Sequence, residues 1–105
     1  MLANPYTPSP IGSARITVSQ DVLVTSMNDV LLMLDTKSGI YFELDEVGGR
    51  IWQLLAEHGD IQGVVRALVA EFDIGADEAR ADVERLVREL ADNDLATIHA
   101  GAPTA

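Results

Sequence analysis

Histidine and cysteine, two residue types that often carry catalysis, are scarce or absent in this chain. Its 105 residues include two histidines and no cysteine, and His58 and His99 both lie at predicted ends of structural elements. General acid–base and nucleophilic catalysis need such a group beside a partner, and no triad spacing occurs. His58 instead suits the end of a helix, where positive charge is favourable. The sequence therefore predicts no catalytic residue and a protein that is not an enzyme.

Metal and phosphate sites are not indicated either. Acidic residues are abundant, but no H-x-x-x-H, H-x-x-E or EF-hand spacing occurs. The pair Gly48-Gly49 lacks the Lys-Ser or Lys-Thr that follows the glycines of a phosphate loop, and Glu43, Asp45 and Glu46 precede it. We interpret this pair as a place where a helix packs closely on a sheet. Neither a metal nor a cofactor is predicted.

The charge balance narrows the choice of partner. Seventeen acidic and seven basic residues give a formal charge of -10, which repels nucleic-acid phosphates and anionic membrane surfaces. The chain has no cysteine, no secretory signal and no apolar run that could span a bilayer, so a cytoplasmic location is expected. Its length and apolar content of 48% fit one domain with one modest core.

The chain divides into a proline-rich arm, a folded domain and a short tail, and the spacing of apolar residues within the domain indicates first strands and then helices. Residues 1–13 are rich in proline and are predicted to be a flexible arm, residues 14–99 are the folded domain, and residues 100–105 are a tail. Apolar residues alternate or run together around residues 16–18, 22–24, 30–34 and 40–44, separated by short polar turns, which predicts an antiparallel meander. Gly39 is expected to close the last turn with a positive φ. A brief final strand is predicted from Leu95 to Ile98.

After Leu44 the period changes to that of a helix. Three helices are predicted, at about residues 46–57, 61–72 and 76–92, with Asp45 and Asp60 capping the first two. The fold class is therefore α+β, winged-helix-like, with an N-terminal three- to four-stranded antiparallel sheet packed on three helices. The predicted core residues are Leu44, Val47, Ile51, Leu55, Ile61, Val65, Leu68, Phe72, Val83, Leu86, Val87 and Leu90.

The strand at residues 40–44 is the last of the meander and is expected to be a sheet edge. An edge strand presents unpaired N–H and C=O groups to an extended peptide. A DNA-binding helix-turn-helix is disfavoured, because the third helix lacks a basic face. On these grounds the chain is an interaction domain, and a dimerisation module that pairs through the same edge stays open.

A longer pattern joins these elements to a known family. It runs from Val30-Leu31-Leu32-Met33-Leu34-Asp35 through a glycine turn to Tyr41-Phe42-Glu43-Leu44, then Val47-Gly48-Gly49-Arg50-Ile51-Trp52, Leu54-Leu55, a Gly-Asp cap, Glu71-Phe72 and Ala81-Asp82-Val83 before Leu86, Leu90 and Leu95. The series is similar to PqqD-like peptide chaperones, the recognition elements for ribosomally made precursor peptides. It resembles most of all the free-standing leader-binding proteins of lasso-peptide clusters. Asp45 and Gly75 depart from the residues common in that family.

The resemblance implies that a precursor leader peptide adds as a strand to residues 40–44 and enters a groove against the third helix. Leader peptidase and macrocyclase are the implied enzyme partners, with no nucleic acid and no membrane. A chaperone that presents a precursor to a radical enzyme in quinone-cofactor biosynthesis is the alternative within the family. The implied peptide-binding residues are Ile40, Tyr41, Phe42, Glu43, Leu44, Arg80, Asp82, Val83, Arg85, Leu86 and Glu89.

Overall fold

Two small antiparallel sheets and three helices form residues 14–99, the part of the chain that the computed structural model describes. The predicted arm at residues 1–13 and the tail at 100–105 lie outside the described residues. In chain order the elements are β1 (Arg15–Val18), β2 (Val22–Met27), β3 (Val30–Asp35), β4 (Tyr41–Leu44), α1 (Glu46–His58), α2 (Ile61–Glu71), α3 (Ala76–Asp92) and β5 (Ala96–His99).

The larger sheet is the predicted meander, with strand order β2-β3-β4. β3 pairs antiparallel with both neighbours, so β2 and β4 are its edges among the described strands. The turn into β3 contains Asn28 at φ 58°, and the turn into β4 contains Gly39 at φ 75°. Asparagine and glycine are the residues that adopt this left-handed conformation most readily. The expected positive φ at Gly39 is confirmed.

β1 does not belong to that meander. The strand around residues 16–18 was expected to begin the sheet, but it pairs instead with β5 in a separate two-stranded sheet. Ile16 N–H also donates to the carbonyl of Gly59 at 2.8 Å, and Ser19 N–H donates to the carbonyl of Leu95 at 2.8 Å. Alternation of apolar residues identifies a strand but carries no information on its partner. The meander therefore has three strands, and the winged-helix comparison is a loose one.

The first two helices begin at the predicted aspartate caps. The Asp45 carboxylate accepts from Gly48 N–H at 2.7 Å, and the Asp60 carboxylate accepts from Gly63 N–H at 3.0 Å. These bonds satisfy amide groups that have no partner within the helix. α1 ends at His58, and the Gly59 that follows caps it in the left-handed conformation, with φ 70°. α3 spans the predicted residues, and Gly75 begins it without a side-chain cap. The predicted α+β class is confirmed.

The core lies between the three helices and the inner face of the larger sheet. Nine of the twelve predicted core residues are buried, whereas Leu44, Val47 and Phe72 are partly buried at its margin. β3 contributes Leu31 and Met33, which the continuous apolar run did not single out. A Cβ atom on Gly49 would lie 3.0 Å from the Cβ of Leu31. Of the glycine pair, Gly49 thus lets α1 approach β3 closely, which is the helix-to-sheet packing that the sequence indicated, whereas a Cβ on Gly48 would meet Leu44 and Asp45.

Candidate functional site

A groove runs between β4, the start of α1 and the outer side of α3. Its upper part has a volume of about 340 Å³ and reaches from Leu44 to Leu86 and Glu89. Its lower part, of about 100 Å³, lies between the apolar side chains of Phe42 and Leu44 and those of α3 and the segment after it. No loop separates β4 from α1, since Asp45 alone joins them. The edge strand therefore leads directly into the helix whose first residues line the groove.

The backbone of β4 presents hydrogen-bonding groups to solvent along this edge. Asp35 N–H donates to the Ile40 carbonyl at 3.0 Å, and the register places Met33 opposite Phe42 and Leu31 opposite Leu44. Backbone groups of successive residues in an antiparallel strand point to opposite sides. Phe42 and Leu44 therefore bond to β3, whereas the N–H and C=O groups of Tyr41 and Glu43 point away from the sheet.

Ile40 differs from the other residues expected on this edge. It precedes β4, and its backbone is already engaged within the hairpin. The Ile40 N–H donates to the Ser38 hydroxyl at 3.2 Å, while its carbonyl accepts from Asp35. The edge available for a ladder is thus shorter than the predicted segment 40–44 and centres on Tyr41 and Glu43.

Side chains of β4 alternate between the groove and the outer face of the sheet. Phe42 and Leu44 are partly buried and pack against the core, so they form the apolar floor of the groove. Tyr41 is 70% exposed, and Glu43 is exposed as well, although it also borders both parts of the groove. An extended peptide on this edge would meet apolar side chains on the helix side and Tyr41 and Glu43 on the other side.

Four of the six α3 residues expected in the groove wall line it, namely Asp82, Arg85, Leu86 and Glu89. Leu86 keeps 8% of its surface exposed. The Arg85 guanidinium donates to the Asp82 carboxylate at 3.2 Å, with most of the arginine side chain open to solvent. The wall therefore combines an apolar contact with charged groups that an incoming peptide can reach.

The other two predicted wall residues are placed differently. Val83 has no exposed surface and belongs to the core, because its position on the helix faces inward. Arg80 is exposed but does not line either part of the groove. Helical periodicity left Val83 open to both interpretations, and burial decides for the core.

Sequence reasoning missed the residues that close the two ends of the groove. Their common property is that they flank the elements already identified. They are Asp45, Val47, Gly48 and Ile51 at the start of α1, and Leu90, Asn93 and Leu95 at the end of α3 and beyond. The absence of spacer residues between β4 and α1 was the available signal for the first set. Only the packing of α3 identifies the second.

The bidentate ion pair between α1 and α2 lies outside this groove. Arg50 Nε donates to Glu71 Oε1 at 2.8 Å and Nη2 donates to Oε2 at 3.0 Å. The hydrogen bond from Arg50 lowers the pKa of Glu71, and the same bond raises the pKa of Arg50. The pair holds the two helices together rather than serving the edge strand.

Residues 14–99 contain neither a cluster of metal-ligating side chains nor a helix able to cross a bilayer. No three His, Cys, Asp or Glu side chains among them are grouped so as to hold a metal ion. In the same residues no helix combines the length and the apolar character that crossing a bilayer demands.

Comparison with known proteins finds one matching family and two similar structures. Residues 30–96 match the family described as Coenzyme PQQ synthesis protein D (PqqD). The structure is similar to that of TbiB1 in complex with the TbiA(beta) leader peptide, with a TM-score of 0.69 and 33% identity over 75% of this chain and 92% of that one. It is also similar to a lasso peptide synthetase B1 complexed with the leader peptide, with a TM-score of 0.70 and 25% identity over 80% of this chain and 99% of that one. No significant match was found among curated proteins.

The matched residues include β3, β4 and all three helices, so they contain the edge strand and both walls of the groove. The sequence resemblance stated above is thus confirmed by a family match over more than half of the chain and by two similar structures. This chain belongs to the PqqD family.

Proposed function

We propose that this protein binds the leader segment of a ribosomally made precursor peptide and delivers it to maturation enzymes in lasso-peptide biosynthesis. The two similar structures were both solved with a leader peptide. In this chain the leader would add as a strand to β4, and its side chains would enter the groove against α3. Strand addition of this kind draws affinity from main-chain bonds and specificity from side-chain pockets.

The observation that carries the proposal is the position of two free backbone donors beside an apolar groove. Tyr41 and Glu43 direct their N–H and C=O groups outward, by the register derived above. Phe42 and Leu44 lie beneath them and line the groove. An extended peptide can therefore form ladder bonds and bury apolar side chains in one position.

The proposed peptide-binding residues differ in what each supplies. The backbone of Tyr41 and Glu43 forms the ladder, and Phe42, Leu44 and Leu86 provide the apolar surface. Asp82, Arg85 and Glu89 contribute charge at the rim, where contacts influence specificity and association rate more than affinity. Ile40 and Arg80 would serve only at the ends of the site, and Val83 supports the wall from within the core.

The chemistry would belong to the partners and not to this chain. A leader held here brings its precursor to a leader peptidase and a macrocyclase, which raises the effective concentration of the substrate at those enzymes. Such a role needs a binding surface and no catalytic group. The cytoplasm, where precursor peptides are made, is the compartment that this proposal implies.

The family match favours a second candidate role. The matched family is described by its part in coenzyme PQQ synthesis, so the groove could present a precursor to a radical enzyme in quinone-cofactor biosynthesis. The two candidates share the same mode of binding and differ in the leader that is bound. Leader preference therefore separates them.

Fluorescence anisotropy tests both candidates together. Labelled leader peptides from lasso-type and quinone-cofactor-type precursors are titrated with the protein at near-physiological salt, with a nonspecific DNA duplex as the control. We expect saturable binding of the lasso-type leader at micromolar concentration or below, corresponding to about -8 kcal/mol or better, and no DNA signal. Preference for the other leader would select the second candidate, and binding of neither would refute the proposal.

Light scattering at several protein concentrations tests the dimerisation module that the sequence left open. A domain whose role is self-pairing through β4 must associate as its concentration rises. A leader-binding protein that uses the same edge for the peptide need not do so. If a dimer forms and the leader dissociates it, the two uses of the edge compete.

A further inference from the structure

The outer face of the larger sheet carries an apolar surface that the helices do not cover. Leu23, Leu32, Leu34 and Tyr41 are its main components, and they surround a shallow depression of about 210 Å³. Leu23 is 63% exposed. The groove described above lies on the opposite face, so this surface meets β4 from the other side.

The strand register arranges this outer face in two rows that run across the sheet. The tyrosine row consists of Leu23, Leu34 and Tyr41, which lie opposite one another on β2, β3 and β4. The glutamate row consists of Thr25, Leu32 and Glu43 in the same order. Each row ends at β4, at one of the two residues whose backbone groups point outward.

A strand added antiparallel to β4 continues both rows. The residues opposite Tyr41 and Glu43 would form hydrogen-bonded pairs with them, and their side chains would project onto the outer face. These two leader residues are two positions apart, because side chains on one face of a strand recur with period two. The outer face would therefore contact the two leader side chains that point away from the groove floor formed by Phe42 and Leu44.

We propose that the side chains of Tyr41 and Glu43 select the leader, which carries an apolar residue opposite Tyr41 and a basic residue opposite Glu43. This inference rests on the proposed function, since it concerns the same bound peptide. It assigns a second recognition surface to the sheet, in addition to the groove against α3.

The environment of Glu43 favours a cation. Its carboxylate forms no ion pair or hydrogen bond with the side chains and backbone described in residues 14–99. Asp45 and Glu46 follow closely in the chain, and the net charge is -10. Opposite charges directly across two strands stabilise the pair, and like charges destabilise it.

The environment of Tyr41 favours an apolar side chain. Its ring is exposed beside Leu34, and the row continues to Leu23 without a charged residue. An apolar leader residue opposite Tyr41 would extend this row by one strand and cover part of the exposed ring. Aromatic residues form favourable cross-strand pairs with apolar partners.

The test uses a labelled lasso-type leader in which each position is replaced in turn by Lys, Glu, Leu and Ser. The affinity of each leader variant is measured by titration with the protein, followed by fluorescence anisotropy. The protein variants are Glu43→Lys, Tyr41→Ser and Tyr41→Phe, with Leu23→Ser as the matched control. Leu23 lies in the tyrosine row but on β2, two strands and about 10 Å away from the β4 edge to which the leader would add. A thermal melt of each variant confirms that it is folded.

We expect one leader position at which the wild-type protein prefers Lys over Glu by about 1.4- to fivefold, the range for cross-strand pairs. Glu43→Lys should reverse that preference. Two positions away, Leu should be preferred over Ser by a similar factor, and Tyr41→Ser should abolish this preference while Tyr41→Phe and Leu23→Ser keep it. A purely structural role would not reverse a charge preference.

The outcomes separate this inference from the function on which it rests. If the wild-type protein binds the leader but Glu43→Lys leaves the Lys and Glu preferences unchanged, the inference is overturned and the groove alone selects the leader. Equal effects of Tyr41→Ser and Leu23→Ser would also overturn it, because they would reflect general loss of apolar surface. If the wild-type protein binds no leader, the proposed function itself fails.

Discussion

Substitution of Tyr41 by proline tests strand addition most directly, because it removes one outward backbone donor. The ladder between β3 and β4 should survive, since the N–H groups that bond β3 belong to Phe42 and Leu44. Proline is tolerated on edge strands when its missing N–H faces solvent. We therefore expect a folded protein with weakened leader binding.

The expected loss of leader affinity depends on the leader carbonyl that would accept a hydrogen bond from Tyr41 N–H, because Tyr41→Pro leaves that carbonyl without a donor. An acceptor buried without a partner costs about 1 to 3 kcal/mol, which corresponds to about 5- to 150-fold in dissociation constant. Because the substitution also removes the tyrosine ring, Tyr41→Ala is the matched control that loses the ring and keeps the N–H. The ratio of the two affinities measures the contribution of the backbone donor.

A second control uses the opposite edge of the sheet. Thr36 N–H donates to the Asp21 carbonyl at 2.8 Å, and this register makes Val24 an outward-pointing residue of β2. Val24→Pro removes a comparable donor and should leave leader affinity unchanged. If Val24→Pro weakens binding while Tyr41→Pro does not, the leader occupies β2 and the reasoning is refuted. Equal affinity of Tyr41→Pro and Tyr41→Ala, with both folded, would refute strand addition through this donor.

Three further predictions concern the scaffold that holds the groove. Gly49→Val should lower the free energy of unfolding by about 1 to 3 kcal/mol in urea titration, because a Cβ added at this position would lie 3.0 Å from that of Leu31. An unchanged midpoint would show that α1 can move away from β3. Asp60→Ala should cost about 0.5 to 2 kcal/mol by the same measurement, since its carboxylate caps Gly63 N–H, whereas Asp60→Asn should retain most of the stability. Glu71→Gln should be less stable than wild type near pH 7, and the difference should disappear as the pH falls. Arg50 lowers the folded pKa of Glu71 from its ordinary value of 4.5. The carboxylate therefore contributes to folding stability above the unfolded pKa, and this contribution is lost as the pH falls through the folded pKa. Thermal melts between pH 7 and pH 3 check this, and a difference that persists at the lowest pH would refute the assignment.

Local chemistry made much of the fold predictable. Helix caps act over three residues, so Asp45 and Asp60 could be assigned from sequence, and the structure confirms both. The helical period similarly gave α3 its bounds. The last strand of the meander was identified as an edge because a chain of hairpins must end at one, and β4 is that edge.

Contacts distant in sequence could not be predicted in the same way. β1 and β5 lie at opposite ends of the described chain, and nothing in the short apolar run around Ile16 indicates pairing with the strand around Ile98. Likewise Val83 and Leu86 both fit the apolar face of α3, yet one is fully buried and the other reaches the groove. The distinction depends on what packs beside the helix.

The sequence alone determined the class of the fold, because period and capping are local properties. Its series of motifs carried the family resemblance, and its residue types led to the expectation of a binding role without catalysis. Only the tertiary structure decided which backbone groups of β4 are free and which side chains form the groove. Both depend on strand register and on the approach of α3 to β4. Those follow from packing among residues distant in the chain, which no local pattern records.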